Sequence, residues 1–251
     1  MNGEQYSFGL GGNIKNSFDE FYKKQTPVVL EGKRDNNGNG SLMRLAPVPI
    51  AFHKNEEEGM NVAAEQSFST HNGEEASECC RLLAHLIIRL INRENFEFQN
   101  IFESLGSSFS SINQAVQCLA NSTMEPTLLP EYSEKVNLTV KDRNWNWKDK
   151  EFDFSETRRI LYPSYIGSYC MDALSMALHL SYHSKDPKTP ILNAVNQGGD
   201  SDTVAAITGI IVGAIYGLDE EMLVLCKGIK EEFMLAMRAY KLFHRKGFCF
   251  D

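Results

Sequence analysis

Residues 204–218, VAAITGIIVGAIYGL, make an uncharged run with Asp200 and Asp202 before it and Asp219, Glu220 and Glu221 after it. The run is shorter than the roughly 20 apolar residues a bilayer span requires. Its acidic flanks point the same way, so the expectation is a buried helix in a soluble protein with no membrane partner. Gly209, Gly213 and Gly217 lie four apart, behind Ala205 and Ala206. Each glycine costs a helix about 1 kcal/mol, so a row on one face predicts a second helix packed very close to it.

Other segments carry the same helical period. In GEEASECCRLLAHLIIRLINR the apolar positions Ala76, Cys80, Leu83, Leu86, Ile87, Leu90 and Ile91 recur at three- and four-residue steps. Glu74, Glu78, Arg81, His85 and Arg89 fill the other face. Helices are also expected in SFDEFYKKQ, near residues 96–105, over Ile112 to Leu119 and in GSYCMDALSMALHLSYHS. Asp186 with Pro187 reads as a helix start, and one more helix is expected from Glu220 to about Arg245. Residues 123–163 hold three prolines and the turn-like DRNWNWKD, and read as an extended connection. Period-two alternation is scarce and no repeat is present, so the chain reads as all-α and as one domain over residues 1–251.

A net charge of −8 argues against a nucleic-acid partner, which needs clustered Lys and Arg. The acidic run Glu56-Glu57-Glu58 reads as a solvated helix start. Six scattered cysteines without a C-x-x-C suit reduced thiols. MNGEQYSFGLGG lacks the layout of a secretory signal, and together these features predict a cytoplasmic protein.

The acidic turn GGDSDT, residues 198–203, has two readings. In one, Asp200 or Ser201 caps the following helix and Asp202 favours its positive end. In the other, two carboxylates two apart and the Thr203 hydroxyl gather oxygen around a divalent ion such as Mg²⁺. The loops GLGGN and NNGNGS are ordinary turns on one reading; on the other, their Cβ-free backbone can approach a phosphate. His71 and Tyr169 read by default as a polar residue between helices and a core ring. Arg44 reads as a buried structural cation in preference to a phosphate partner.

The stretch GGDSDTVAAITGIIVGAIYG resembles, nearly position for position, a C-terminal motif of the ADP-ribosylglycohydrolases of the dinitrogenase-reductase-activating glycohydrolase type. GNGSLMRLAPVPIAF at residues 38–52, Thr70-His71 in STHNGEEASECC, and GSYCMDALSMAL at residues 167–178 are similar to further blocks of that family, in the expected order. The resemblance implies an all-α, single-domain orthogonal helical bundle with Gly-rich loops lining a cleft. It also implies metal-dependent hydrolysis of the bond joining ADP-ribose to a protein side chain or small acceptor. Asp200 and Asp202 would be catalytic carboxylates and, with Thr203, ligands of Mg²⁺ or Mn²⁺. Gly11, Gly12, Gly38, Asn39, Gly40, Ser41, His71 and Tyr169 would contact the ADP-ribose; Gly9 stands where some relatives have an acidic residue.

The family's remaining metal ligands come from an N-terminal segment with a Thr-Asp-Asp run, and no Asp-Asp pair occurs here. The expectation is therefore an N-terminally incomplete member that holds at most one ion weakly. Apolar helix faces left uncovered would favour self-association. Two rival readings follow: a binder of ADP-ribose or ADP-ribosylated protein without turnover, and a structural, crystallin-like protein.

Overall fold

The computed structural model describes residues 11–26, 36–94, 97–123, 144–154, 166–227, 229 and 232–244. Twelve α-helices lie among them: α1 (Gly12–Lys24), α2 (Pro47–Ala51), α3 (Glu56–Phe68), α4 (Glu74–Ile91), α5 (Phe98–Glu103), α6 (Leu105–Ser108), α7 (Gln114–Asn121), α8 (Cys170–Tyr182), α9 (Lys188–Val195), α10 (Ser201–Tyr216), α11 (Glu220–Cys226) and α12 (Glu232–Phe243). Two 3₁₀ turns, Asn39–Ser41 and Lys150–Phe154, complete them. Extended pairing among the described residues is limited to two isolated bridges, Gly38 with Tyr169 and Ile166 with Gly199. The all-α expectation holds.

Helix α4 is the hub, packed on α3, α8 and α10. Its apolar stripe is buried from Ala76 to Leu90 as the spacing predicts, with Ile91 half-buried, but Glu75, Glu78 and His85 are buried too. The polar face of this helix is thus not a solvent face. The first turn of α3 and the segment after α5 lie across it, through Glu56 on His85 and Ser111 on Glu78. Helix α8 is buried from Cys170 to Ser181 and packs on α10 and α9.

The two ends of α10 are pinned. Val204, Ile207, Ile211 and Ile215 point into the core. Arg93, just past α4, donates to the carbonyls of Ala214, at 2.7 Å, and of Ile215, closing the C-terminal turn with a cation. Among the described residues, no second helix presses on the glycine row. A Cβ added at Gly209, Gly213 or Gly217 meets nothing within 4 Å among the described residues. The physical reason is register: the Val/Ile edge of α10 faces its neighbours, and the glycine edge faces away.

Other differences are local. Asp186 opens α9 as expected, its Oδ1 accepting the N–H groups of Lys188 (2.9 Å) and Thr189 (2.7 Å). Among the described residues, the helix expected from Glu220 to Arg245 is two, α11 ending at Cys226 and α12 beginning at Glu232. Within the turn-like DRNWNWKD, Trp145 and Trp147 are fully buried, and the Trp147 indole donates to the Leu119 carbonyl at 2.7 Å. Most of the expected connection, residues 124–143 and 155–163, lies outside the described residues. No helix is long and apolar enough to cross a membrane among the residues described.

Candidate functional site

The acidic turn is built by two glycines. Gly198 and Gly199 adopt φ of 73° and 67°, left-handed values that a side chain would strain. The turn is held by the Asp200 N–H donating to the Ile166 carbonyl at 2.7 Å. Asp200 then occupies the position before α10, yet its side chain caps no backbone N–H. Its Oδ2 accepts from Asn39 Nδ2 at 2.6 Å, and its Oδ1 accepts from Thr203 Oγ1 at 3.1 Å. Capping by the Asp200 side chain is therefore overturned, because both oxygens are drawn to side-chain donors.

Asn39 arrives from far away in sequence. Its buried 3₁₀ turn is fixed to the start of α8 by the Asn39 N–H on the Ser168 carbonyl and the Cys170 N–H on the Asn37 carbonyl, both at 2.9 Å. It is fixed to α4 by Asn37 Oδ1, which accepts the Ala76 N–H at 3.2 Å. This approach requires Gly73, since a Cβ there would lie 1.9 Å from Asn37 Oδ1 and 2.6 Å from the Asn36 carbonyl oxygen. The Gly-Asn-Gly loop and the acidic turn thus meet at one place, at the shared ends of α4, α8 and α10.

His71 lies behind the loop. A Cβ at Gly38 would approach its Nε2 to 2.9 Å, and one at Gly40 would approach its Cε1 to 2.9 Å. The ring is buried, and its Nδ1 pairs with Thr70 Oγ1 at 2.7 Å. Burial, helped by the Arg44 charge, pushes the His71 pKa down to about 4, so the imidazole is neutral at pH 7. It offers a hydrogen bond and no positive charge. Arg44 is held by Gln66 Oε1 and the Gln66 carbonyl, each at 2.9 Å, and by Ser69 Oγ at 3.1 Å, which is a structural role.

The remaining expected residues divide. Tyr169 bridges Gly38 through its backbone, while its hydroxyl donates to buried Glu75 at 2.7 Å. Burial and that carboxylate raise the phenol well above its ordinary pKa, so it stays a donor. The Ser41 hydroxyl turns inward, accepting from Ser67 Oγ at 2.9 Å and from Cys80 Sγ at 3.4 Å. Gly11 and Gly12 are exposed at the entry of α1, whose Asn13 and Ile14 side chains border Gly38 and Gly40. Asp202 is exposed on the first turn of α10. Gly9 lies outside the described residues. Glu75 was missed; its signal was its register with Cys79, Leu82 and Leu86 on the buried side of α4.

No group of three or more His, Cys, Asp or Glu side chains able to hold a metal lies among the described residues. The donors at the acidic turn still fit a hard ion in part. Asp200, Asp202 and Thr203 offer oxygen from a single turn, and Mg²⁺ characteristically takes one or two carboxylates and keeps water on its other positions. Each Asp200 oxygen retains a lone pair beyond the bond it accepts.

An all-α scaffold that ties an acidic helix entry to a Gly-Asn-Gly loop defines the class, and comparison with known proteins agrees. The model of the ADP-ribosylglycohydrolase family matches residues 1–246, and the chain belongs to that family. It is 25% identical over 213 residues to ADP-ribosylarginine hydrolase Tri1 of Pseudomonas putida (strain GB-1), covering 84% of this chain and 47% of that protein. It is 36% identical to ADP-ribosyl-[dinitrogen reductase] glycohydrolase of Rhodospirillum rubrum, over 59 residues only, 24% of this chain and 20% of that one. The family is thereby shown, while its dinitrogenase-reductase-activating branch has only this short match behind it. A solved structure titled "ADP-ribosylglycohydrolase-related protein complex" superposes with a TM-score of 0.63 at 20% identity, over 93% of this chain and 68% of that chain, which shows the fold. The chain spans about half the length of the Tri1 protein it matches, 47%.

Proposed function

We propose that this protein is a metal-dependent hydrolase that cleaves the glycosidic bond between ADP-ribose and a protein side chain or small acceptor. The observation that carries the reading is the 2.6 Å bond from Asn39 to Asp200, which joins two motifs 161 residues apart. Asn39 fixes the direction of the Asp200 carboxylate, and Thr203 adds a hydroxyl beside it. Asp200, Asp202 and Thr203 would hold Mg²⁺ or Mn²⁺. Such an ion polarises water and steadies the sugar hydroxyls while charge develops at the anomeric carbon. Gly38 and Gly40 let backbone approach the ligand without a side-chain wall, and neutral His71 backs them. The name of the Pseudomonas relative, ADP-ribosylarginine hydrolase, makes an arginine linkage the first substrate to try.

The test is release of ADP-ribose from ADP-ribosylated protein with and without Mg²⁺ or Mn²⁺, comparing wild type with Asp202→Ala. Metal-dependent release that falls in the variant supports the assignment. Equal rates, or rates indifferent to metal, reject it.

The second reading, ADP-ribose binding without turnover, is favoured by one observation: no group of three or more His, Cys, Asp or Glu side chains able to hold a metal lies among the described residues. Calorimetry showing binding without release would select it. A melting temperature unmoved by ADP-ribose or metal would instead select the structural reading. Self-association, if it occurs, would run through exposed apolar side chains such as Leu223, Val224, Leu225, Phe233 and Tyr240, and sedimentation would detect it.

A further inference from the structure

We propose a second, independent reactive centre: Glu56, His85 and Ser108 form a carboxylate–imidazole–hydroxyl relay that makes Ser108 a nucleophile toward small carboxylic esters. His85 lies about 18 Å along α4 from its glycine entry, at about 1.5 Å per residue. It is therefore well away from the acidic turn. Three elements supply the relay. Glu56 opens α3, His85 lies in α4, and Ser108 ends α6.

The geometry is that of a proton relay. His85 Nδ1 is 2.5 Å from Glu56 Oε1, and His85 Nε2 is 2.9 Å from Ser108 Oγ. A nitrogen facing a carboxylate carries the proton, which leaves Nε2 as the acceptor for the serine hydroxyl. The ring is buried against Phe109, centroids 5.6 Å apart, so its orientation is fixed. Burial lowers the His85 pKa, with Glu56 opposing and Arg89 and Arg81 assisting, so the imidazole is free to take a proton.

Neighbouring serines show that this arrangement is particular. Ser104 Oγ donates to the Asn100 carbonyl at 2.8 Å, and Ser107 Oγ donates to the Ser104 carbonyl at 3.0 Å. Both hydroxyls fold back on their own helix. Ser108 Oγ is 3.3 Å from the Leu105 carbonyl but nearer to His85. Arg89 also donates to it, placing a guanidinium beside the oxygen that gains charge as its proton leaves. Ser108 is exposed, so an ester can reach it from solvent.

In the step, Ser108 Oγ bonds to the ester carbonyl carbon as its proton passes to His85 Nε2. The carbon–alkoxide bond then breaks, and the alcohol departs with that proton. Water adds to the acyl carbon, its proton moves to His85, and cleavage of the carbon–Oγ bond returns the proton to Ser108. Ester and water become acid and alcohol.

The test uses the full chain with a fluorophosphonate probe, whose P–F bond breaks as Oγ–P forms, followed by peptide mass mapping. A p-nitrophenyl acetate assay runs beside it. The expected result is one adduct, on Ser108, absent in Ser108→Ala and retained in Ser107→Ala. Glu56→Gln, with its folding checked by a melt, slows labelling and ester cleavage by about 10²-fold or more. No adduct on wild-type Ser108, an adduct elsewhere, or an unchanged rate in Glu56→Gln overturns the proposal and leaves a structural hydrogen-bond chain. None of these readouts requires ADP-ribose or metal.

Discussion

His71 lies just before the entry of α4 and His85 far along the same helix; both are buried, and desolvation favours the neutral form of each. Their surroundings differ in kind. His71 is walled by backbone: Gly38 and Gly40 leave the space its ring fills, and its Nδ1 pairs with the neighbouring Thr70 hydroxyl. His85 is walled by side chains, a carboxylate on one nitrogen and a hydroxyl on the other. The first arrangement shapes a surface for something else to lie on. The second moves protons. Burial alone does not tell a histidine's role; what lies on its two nitrogens does.

The backbone wall breaks most severely at Gly73. In Gly73→Ala the new Cβ overlaps Asn37 Oδ1 and the Asn36 carbonyl, and a backbone atom cannot swing aside. The expected loss is about 3 kcal/mol, read by urea unfolding. Next comes Asn39→Ala, which releases the Asp200 carboxylate while sparing the core. ADP-ribose release or binding should fall by about 10–100-fold, the scale for groups that orient a metal-ligating side chain. An unaltered rate would detach Asn39 from the site.

Gly40→Ala presses its methyl on the edge of the His71 ring, and the ring has some freedom to yield. A loss of about 1–2 kcal/mol is expected in the same unfolding assay. Acidification loads the same ring with a proton. A histidine whose folded pKa is depressed binds its proton more readily when unfolded, so stability is full above about pH 6.5 and falls as pH drops towards 4. His71→Gln should flatten that fall. For a chain of this length each kcal/mol appears as about 2–4 °C in Tm, measurable between pH 7 and pH 5.

Much of the fold was legible because α4, α8 and α10 each carry a helical period long enough to outweigh local noise. Trp145 and Trp147 were not, since DRNWNWKD has the composition of a turn and only contacts such as Trp147 with Leu119 bury it. At the site, the acidic turn and the Gly-Asn-Gly loop were legible as motifs, but their direct bond spans 161 residues and no local pattern encodes it. The Glu56–His85–Ser108 chain was invisible for the same reason. A helical wheel of α4 places His85 on a polar face, and it cannot show that α3 and α6 cover that face. The glycine row misled in the opposite direction: small residues permit a close neighbour without requiring one.

That uncovered row has a practical side. Gly209 and Gly213 sit mid-helix, and among the described residues nothing lies within 4 Å of where a methyl would go. Replacing either by alanine removes a loose joint from the rod that carries Asp200 and Asp202. Each exchange should tighten the folded protein by up to about 1 kcal/mol without touching the carboxylates. A hardier version of this molecule for crystallisation or assay is therefore two methyl groups away.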